Sequence, residues 1–303
     1  MKILLTGASG YLGRHVLTYL HQQGYDVVVL GRRLPVGFEA VPLLQCDLLD
    51  PTQLHPAVQQ AGATHLLHLA WNTESGVYWT SPVNFRWADA TLRLLQAFAD
   101  VGGQHAAIAG TCAEYDWSPL PLGSLVENLS PYAPATVYGV AKDATRRMAA
   151  ALCAGRSVSL AWGHIFYPFG PGEAAQRMLP SLVRVFQGQA APFGVNTAAY
   201  RGLLPVADAA SALATLLVQG CNGNFNICSG QPALIGDVVR TLARLCGADP
   251  DPVLALASAR AGDPLVLVGD TTRLRATGWR PQSTLEQGLA GLLQSPRLTI
   301  NFA

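Results

Sequence analysis

Tyr138 and Lys142 stand four residues apart in Tyr138-Gly139-Val140-Ala141-Lys142, a spacing that puts both on one face of a helix. A free tyrosine titrates near a pKa of about 10, too high for easy proton exchange at neutral pH. A neighbouring ammonium favours the phenolate, lowers that value and makes the pair a usable proton donor and acceptor. The chain carries 18 arginines and only two lysines, Lys2 and Lys142, so a lysine at 142 invites a specific explanation. Upstream lies Gly110-Thr111-Cys112-Ala113-Glu114-Tyr115. A hydroxyl at the end of that strand can hydrogen-bond the same substrate oxygen as Tyr138; taken alone, Thr111 is a strand-end residue.

A second constellation is Thr6-Gly7-Ala8-Ser9-Gly10-Tyr11-Leu12-Gly13, between the first strand-like run and the first helical one. Glycines let the backbone turn sharply and approach a pyrophosphate, and the helix start offers free N–H groups and partial positive charge. The spacing Gly-x-x-Gly-x-x-Gly departs from the Gly-x-Gly-x-x-Gly dinucleotide fingerprint. The next strand ends in Leu30-Gly31-Arg32-Arg33, where many NAD proteins place a carboxylate on the ribose 2′-hydroxyl. Guanidinium groups there would bind a 2′-phosphate in bidentate fashion, which favours NADP; the plain alternative is a solvated pair. Asp47-Leu48 suits an adenine contact, although Asp47 could equally cap the turn into Pro51.

These residues need a frame that brings strand ends together. Short apolar runs (Lys2–Thr6, Asp26–Leu30, Val41–Gln45, Thr64–Leu69, His105–Ala109, Val158–Trp162) alternate with helical patterns (Tyr11–Gln23, Pro51–Ala61, Pro82–Val101, and one within Tyr132–Ala154). Continuous apolar strands alternating with helices predict a parallel sheet covered on both faces, an α/β doubly wound architecture. After Trp162 the pattern becomes irregular. Ile165–Glu173 reads as loop, and Pro205–Gln219 as a helix returning to the first domain. The predicted division is residues 1–165 plus about 201–219 for the dinucleotide-binding domain, with about 166–200 and 220–303 forming a smaller, mixed substrate-binding lobe.

Composition narrows the partners. A net charge of +1 without a basic tract speaks against nucleic acid. No apolar run reaches the roughly 18 residues a membrane span requires, and the N-terminus lacks a secretory pattern, so no membrane partner and a cytoplasmic location are the expectation. The six cysteines, Cys46, Cys112, Cys153, Cys221, Cys228 and Cys246, form no Cys-x-x-Cys pair and read as buried, reduced thiols. The seven histidines show no metal-ligand spacing, and no metal is expected.

With these motifs in order, the chain resembles the extended short-chain dehydrogenases/reductases of the NAD-dependent epimerase/dehydratase type, which modify nucleotide sugars. The resemblance runs through Thr6–Gly13, Asp47-Leu48, His68-Leu69-Ala70, Asn84, Leu94-Leu95, Thr111, Tyr138 and Lys142. It continues through Phe169-Gly170-Pro171-Gly172, Arg201 with Pro205-Val206-Ala207-Asp208, Phe225-Asn226-Ile227, and Gly278-Trp279-Arg280-Pro281. It implies a Rossmann domain with Thr111, Tyr138 and Lys142 as a catalytic triad, Lys142 also holding the nicotinamide ribose. It further implies cofactor contacts from Gly7, Ser9, Gly10, Tyr11, Leu12, Gly13, Arg32, Arg33, Asp47, Leu48, Leu69, Ala70, Tyr138 and Lys142. Arg201, assisted by Arg260, would meet the substrate diphosphate; for either arginine a surface salt bridge is the alternative. The family commonly forms homodimers through the helices within Pro82–Val101 and Tyr132–Ala154.

The segment after Thr111 discriminates among reactions. The family's 4,6-dehydratases follow the threonine with Asp-Glu as general acid and base. Here Cys112 and Ala113 stand instead, and alanine moves no proton. Two enzyme readings remain: a ketoreductase using NADPH on a nucleotide-linked deoxysugar, toward which Arg32 and Arg33 tilt, and a 4-epimerase keeping NAD tightly bound. A non-catalytic, cofactor-sensing NmrA-like protein is a third, against which the presence of both Tyr138 and Lys142 weighs.

Overall fold

The computed structural model describes residues 1–118, 123–259 and 262–294. Among these, β1 (Lys2–Thr6), α1 (Tyr11–Gln22), β2 (Asp26–Gly31), β3 (Leu43–Gln45), α2 (Pro51–Ala61) and β4 (His65–His68) begin the chain. They continue into α3 (Val83–Asp100), β5 (His105–Thr111), α4 (Val137–Ala154) and β6 (Ser159–Ile165). The second half holds β7 (Tyr167–Phe169), α5 (Met178–Phe186), β8 (Tyr200–Arg201), β9 (Leu203–Pro205), α6 (Val206–Val218) and β10 (Gly223–Ile227). It ends with β11 (Ala233–Leu234), α7 (Ile235–Cys246), α8 (Asp251–Leu254), β12 (Val266–Leu267), α9 (Thr272–Ala276) and α10 (Leu285–Leu293).

Seven parallel strands form the main sheet in the order β10-β6-β5-β4-β1-β2-β3. The run Val27–Leu30 is buried throughout, as a strand covered on both faces must be. One core lies between the sheet and α1 with α6, around Ile3, Leu5, Val16, Leu20, Leu213 and Leu217. The other lies beneath α2, α3 and α4, around Leu4, Leu30, Leu66, Leu95, Phe98 and Trp162. The doubly wound α/β fold expected from the alternation is therefore the fold adopted. A third core, from Leu182, Phe186, Val239, Leu242, Val253 and Leu289, belongs to the smaller lobe, which carries the mixed sheet β11-β8-β12.

Three sequence readings need correction. Ile165–Glu173 is not all loop: Tyr167–Phe169 pairs in parallel with β9. Gly223–Ile227, counted with the smaller lobe, is the edge strand of the main sheet, paired with β6 from Gly223↔Ala161 to Ile227↔Ile165. Its register was invisible because the residues that complete it come from the distant strand 159–165. The chain then crosses back again: Trp279 is buried in the first core, and its Nε1 donates to Ser211 Oγ at 2.9 Å. The buried Asp208 carboxylate at the start of α6 accepts from Gln282 N at 2.8 Å and Ser283 N at 3.2 Å. Asp208 and Trp279 thus pin the C-terminal segment to α6.

Smaller differences have local causes. The helix within Tyr132–Ala154 starts only at Val137, where Thr136 caps it by accepting from Gly139 N at 3.0 Å. The third strand is three residues long, not five. All six cysteines are free, but Cys221 and Cys246 are only half-buried. No helix of the described residues is long and apolar enough to cross a membrane.

Candidate active site

The glycine turn is dictated by space. Gly7 has φ +74°, and a Cβ on it would lie 2.6 Å from Ala70 N; one on Gly13 would lie 1.9 Å from Gly7 O. Only glycines let β1 turn this tightly against residues 69–70 and into α1. Gly10 caps α1 without a side-chain hydrogen bond, so the N–H groups at the helix start are available to an anion. Ser9 and Gly10 are exposed there, Leu12 is half-buried and Gly13 is buried. The Tyr11 hydroxyl is buried without a hydrogen-bond partner among the described residues; a bound phosphate oxygen would satisfy it. The cradle therefore fits a dinucleotide.

Arg32 and Arg33 are exposed immediately beyond β2. Asp47 is exposed and closes its own turn, accepting from Leu49 N at 3.1 Å. The helix α2 is capped instead by Asp50, which accepts from Thr52 N at 3.0 Å. Leu48 is buried. The N–H groups of Leu69 and Ala70 approach Thr6 Oγ1 at 3.3 and 3.4 Å. Behind them His68 spans Thr6 Oγ1 (2.7 Å from Nδ1) and Thr91 Oγ1 (2.9 Å from Nε2). Thr91 gives its own proton to Trp87 O at 2.8 Å, so His68 Nε2–H donates to Thr91 and Nδ1 accepts from Thr6. Burial, with Lys142 nearby, pushes His68 down to about 3, which fits this neutral, strut-like role.

Thr111, Tyr138 and Lys142 come together where β5 ends against the first turns of α4, all three buried. Lys142 Nζ donates to Ala109 O at 2.7 Å and sits 3.8 Å from the centre of the Trp71 ring. Burial pushes Lys142 down to about 7, while the Glu114 carboxylate pulls it up. The Tyr138 phenol departs from the sequence expectation. Burial raises it well above the ordinary tyrosine value, against the Thr111 hydroxyl, which lowers it. The ammonium does not offset this, because it is turned toward Ala109 and Trp71 and is itself pushed toward neutrality. Thr111 Oγ1 accepts from Ala113 N at 3.2 Å, so its own proton points toward Tyr138 and can turn to a substrate oxygen placed between the two. A carbonyl oxygen placed against the Thr111 and Tyr138 hydroxyls would receive two hydrogen bonds, one from a group able to transfer its proton.

The sequence reading missed the wall around this centre. The ring of Tyr138 meets Tyr78 at 4.9 Å, Trp79 at 5.7 Å and Trp71 at 6.4 Å between centres, all edge to face. The Tyr138 N–H also donates to Trp79 O at 3.1 Å. Trp71, Tyr78 and Trp79 within nine residues were the available signal. From the smaller lobe, Arg177 lies 5.6 Å from the Tyr78 ring centre. Beside Tyr11, burial pushes the Glu173 carboxyl up to about 7 against the pull of Arg177.

Cys112 and Ala113, in the place of a dehydratase's acid and base, are both buried. Burial pushes the Cys112 thiol up to about 12, so neither is a proton carrier at neutral pH. Arg201 is also buried. Its NH2 pairs with Asp263 at 2.6 Å, and its NH1 donates to Tyr200 O and Pro264 O, each at 2.9 Å. This is an ion pair inside the smaller lobe, not the surface bridge the sequence left open. Arg260 lies outside the described residues.

Residues 3–228 match the NAD dependent epimerase/dehydratase family. The GDP-6-deoxy-D-mannose reductase of Pseudomonas aeruginosa is 29% identical over 96% of this chain and 96% of its own. The dTDP-6-deoxy-L-talose 4-dehydrogenase (NAD(+)) of Aggregatibacter actinomycetemcomitans is 23% identical over 89% of this chain and 99% of its own. The crystal structure of the Thermus thermophilus UDP-glucose 4-epimerase in complex with NAD superposes with a TM-score of 0.83 at 23% identity, covering 97% of this chain and 98% of that one.

Proposed function

The chain belongs to the NAD dependent epimerase/dehydratase family, and from that premise we propose that it is an NADP-dependent ketoreductase acting on a nucleotide-linked deoxysugar. It is an NAD(P)-dependent enzyme of the extended short-chain dehydrogenase/reductase type that modifies nucleotide sugars. The observation that carries the finer reading is the end of β2, where two exposed arginines stand in the place of a ribose-binding carboxylate. A 2′-phosphate would meet favourable charge there. Two relatives named above, a reductase and a dehydrogenase of 6-deoxysugars, fit a single hydride transfer.

The bound nicotinamide supplies the hydride. The work of this chain's residues is to hold the ketone oxygen between Thr111 and Tyr138. Tyr138 gives that oxygen its proton as negative charge develops. Lys142, one helical turn away, would hold the nicotinamide ribose. Trp71, Tyr78 and Trp79 exclude water from the exchange and offer apolar faces to a sugar ring that lacks a hydroxyl. The glycine cradle at Gly7, Ser9, Gly10, Tyr11, Leu12 and Gly13 would hold the pyrophosphate. Asp47, Leu48, Leu69 and Ala70 would line the adenosine side. Arg201 serves this reading by fixing the smaller lobe through Asp263. The exposed apolar side chains Phe85, Val140 and Met148 on α3 and α4 supply the face of a homodimer.

A second reading, a 4-epimerase retaining NAD, is favoured by the structural neighbour that carries NAD. Calorimetric titration with NADPH, NADH, NADP and NAD separates the two, with mass spectrometry identifying any cofactor retained on purification. Exchangeable binding that prefers NADPH supports the reductase. Tightly retained NAD puts the epimerase first.

A further inference from the structure

Glu114 is a fully buried carboxylate directly behind the catalytic centre. It ends the short 3₁₀ turn Cys112–Glu114 that follows β5. Its Oε1 accepts from Thr111 N at 2.8 Å and from Trp162 Nε1 at 3.0 Å. Its Oε2 faces Arg146 Nε of α4 at 3.3 Å and His164 Nδ1 of β6 at 3.4 Å. With Thr111 Oγ1 accepting from Ala113 N, the two residues close a reciprocal capping box. Gly110 makes the approach feasible: a Cβ there would lie 2.8 Å from Glu114 Oε1 and 2.1 Å from Trp162 Nε1.

The carboxylate is ionised. Burial opposes its charge, but His164, the Thr111 N–H and the Trp162 N–H outweigh burial and hold it below the ordinary carboxylate value. Lys142 stands one turn before Arg146 on α4, the helix whose Arg146 Nε meets Glu114. Its Nζ sits on Ala109 O and over the Trp71 ring, two residues before the Thr111 N–H that Glu114 accepts, with the neutral His68 of β4 nearby. In this company Glu114 alone is the anion that raises it.

We propose that Glu114 is a positioning residue, whose buried charge holds the Thr111 turn from behind and keeps the Lys142 side chain an ammonium. The inference rests on Thr111 and Lys142 being the working groups of the proposed reaction. The chemistry is one of field and geometry: no proton leaves Glu114, and a neutral amide in its place would keep the shape and lose the field.

The test exploits the two lysines of the chain. Protein labelled with ¹³C at lysine Cε gives one resonance from Lys2 and one from Lys142, and no substrate is needed. In Glu114→Gln the Lys142 resonance is expected to titrate about one pH unit lower than in the parent, with Lys2 unmoved. In turnover, kcat is expected to fall by about tenfold or more with KM within about twofold, as for loss of an interaction felt in the transition state. Lys142 titrating at the same pH in both proteins, or a raised KM with unchanged kcat, overturns the proposal. If Glu114→Gln does not fold, Trp162→Phe carries the test, since it removes a hydrogen bond to the carboxylate and keeps its charge. Reduced kcat with unmoved Lys142 titration is expected, and unchanged kcat contradicts the positioning role. A shifted Lys142 resonance in a protein that reduces no ketone would leave the role of Glu114 standing and sink the reductase reading alone.

Discussion

Lys142 Nζ donates to the carbonyl oxygen of Ala109 at 2.7 Å, so a cation on α4 is anchored to the interior of the sheet. The cost of burying it has a pH signature. The amine falls from 10.5 in the open chain to about 7 in the fold. Between those values the unfolded chain holds more protons, so this residue's contribution to stability improves as pH rises from about 7 toward 10.5. Below the lower value the full penalty of the buried charge is present. Lys142→Met is therefore expected to be more stable than the parent below neutral pH, and this advantage narrows as pH rises. Urea unfolding of both proteins across that range checks it, and a constant difference would contradict it. Activity of Lys142→Met falls by about a hundredfold or more, the scale of a misplaced reacting group.

Tyr138→Phe removes the proton donor and little else. The expected outcome is a kcat lower by about 10²–10⁴, with cofactor binding weakened by no more than about tenfold. Thermal stability holds, because the phenol is buried among Tyr78, Trp79 and Trp71 and phenylalanine keeps the ring contacts. Steady-state kinetics alongside thermal melting make the check. Residual turnover near that of the parent would remove Tyr138 from the chemistry.

Arg32→Ser with Arg33→Ser is expected to weaken NADPH binding by about tenfold to a hundredfold, the worth of one charge-assisted hydrogen bond of about 1.5–3 kcal/mol shared between two exposed side chains. NADH binding stays within about twofold, because a 2′-hydroxyl does not need the guanidinium charge. Calorimetry on the double variant reads both. Equal weakening of the two cofactors would mean that the arginines act on something other than the 2′-phosphate.

Met148 is 47% exposed on α4, and Phe85 is 58% exposed on α3. Met148→Glu puts a charge into the proposed dimer face and is expected to convert a dimer into a monomer at micromolar concentration. Sedimentation equilibrium reads the mass directly. A parent protein that is already monomeric would dismiss this face as an interface.

The layout of the first domain was legible because its signals are local. Val27–Leu30 announces a strand covered on both sides, Pro51 a helix start, and Tyr138 with Lys142 a shared helical face. What escaped depends on partners far away in the chain. Phe225–Ile227 becomes an edge strand only against Ala161–Ile165, and Tyr167–Phe169 is a strand only because Leu203–Pro205 returns beside it. The site divides in the same way. Gly7 and Gly13 declare a tight turn by type and spacing, whereas the burial that raises Tyr138 and lowers Lys142 comes from Trp71, Tyr78 and Trp79, on a loop some sixty residues upstream. The type and place of Arg201 suggest a diphosphate ligand, but its pairing with Asp263, 62 residues on, could not be read from the sequence.

The most direct test of the central claim offers purified protein a nucleotide-linked 4-keto-6-deoxysugar with NADPH, and follows the loss of NADPH absorbance together with the sugar product. Consumption of NADPH in step with formation of the hydroxyl sugar is the expected result. If NADPH is not consumed, while protein carrying its own NAD interconverts a 4-hydroxyl pair of nucleotide sugars, the reductase account is contradicted and the epimerase takes its place.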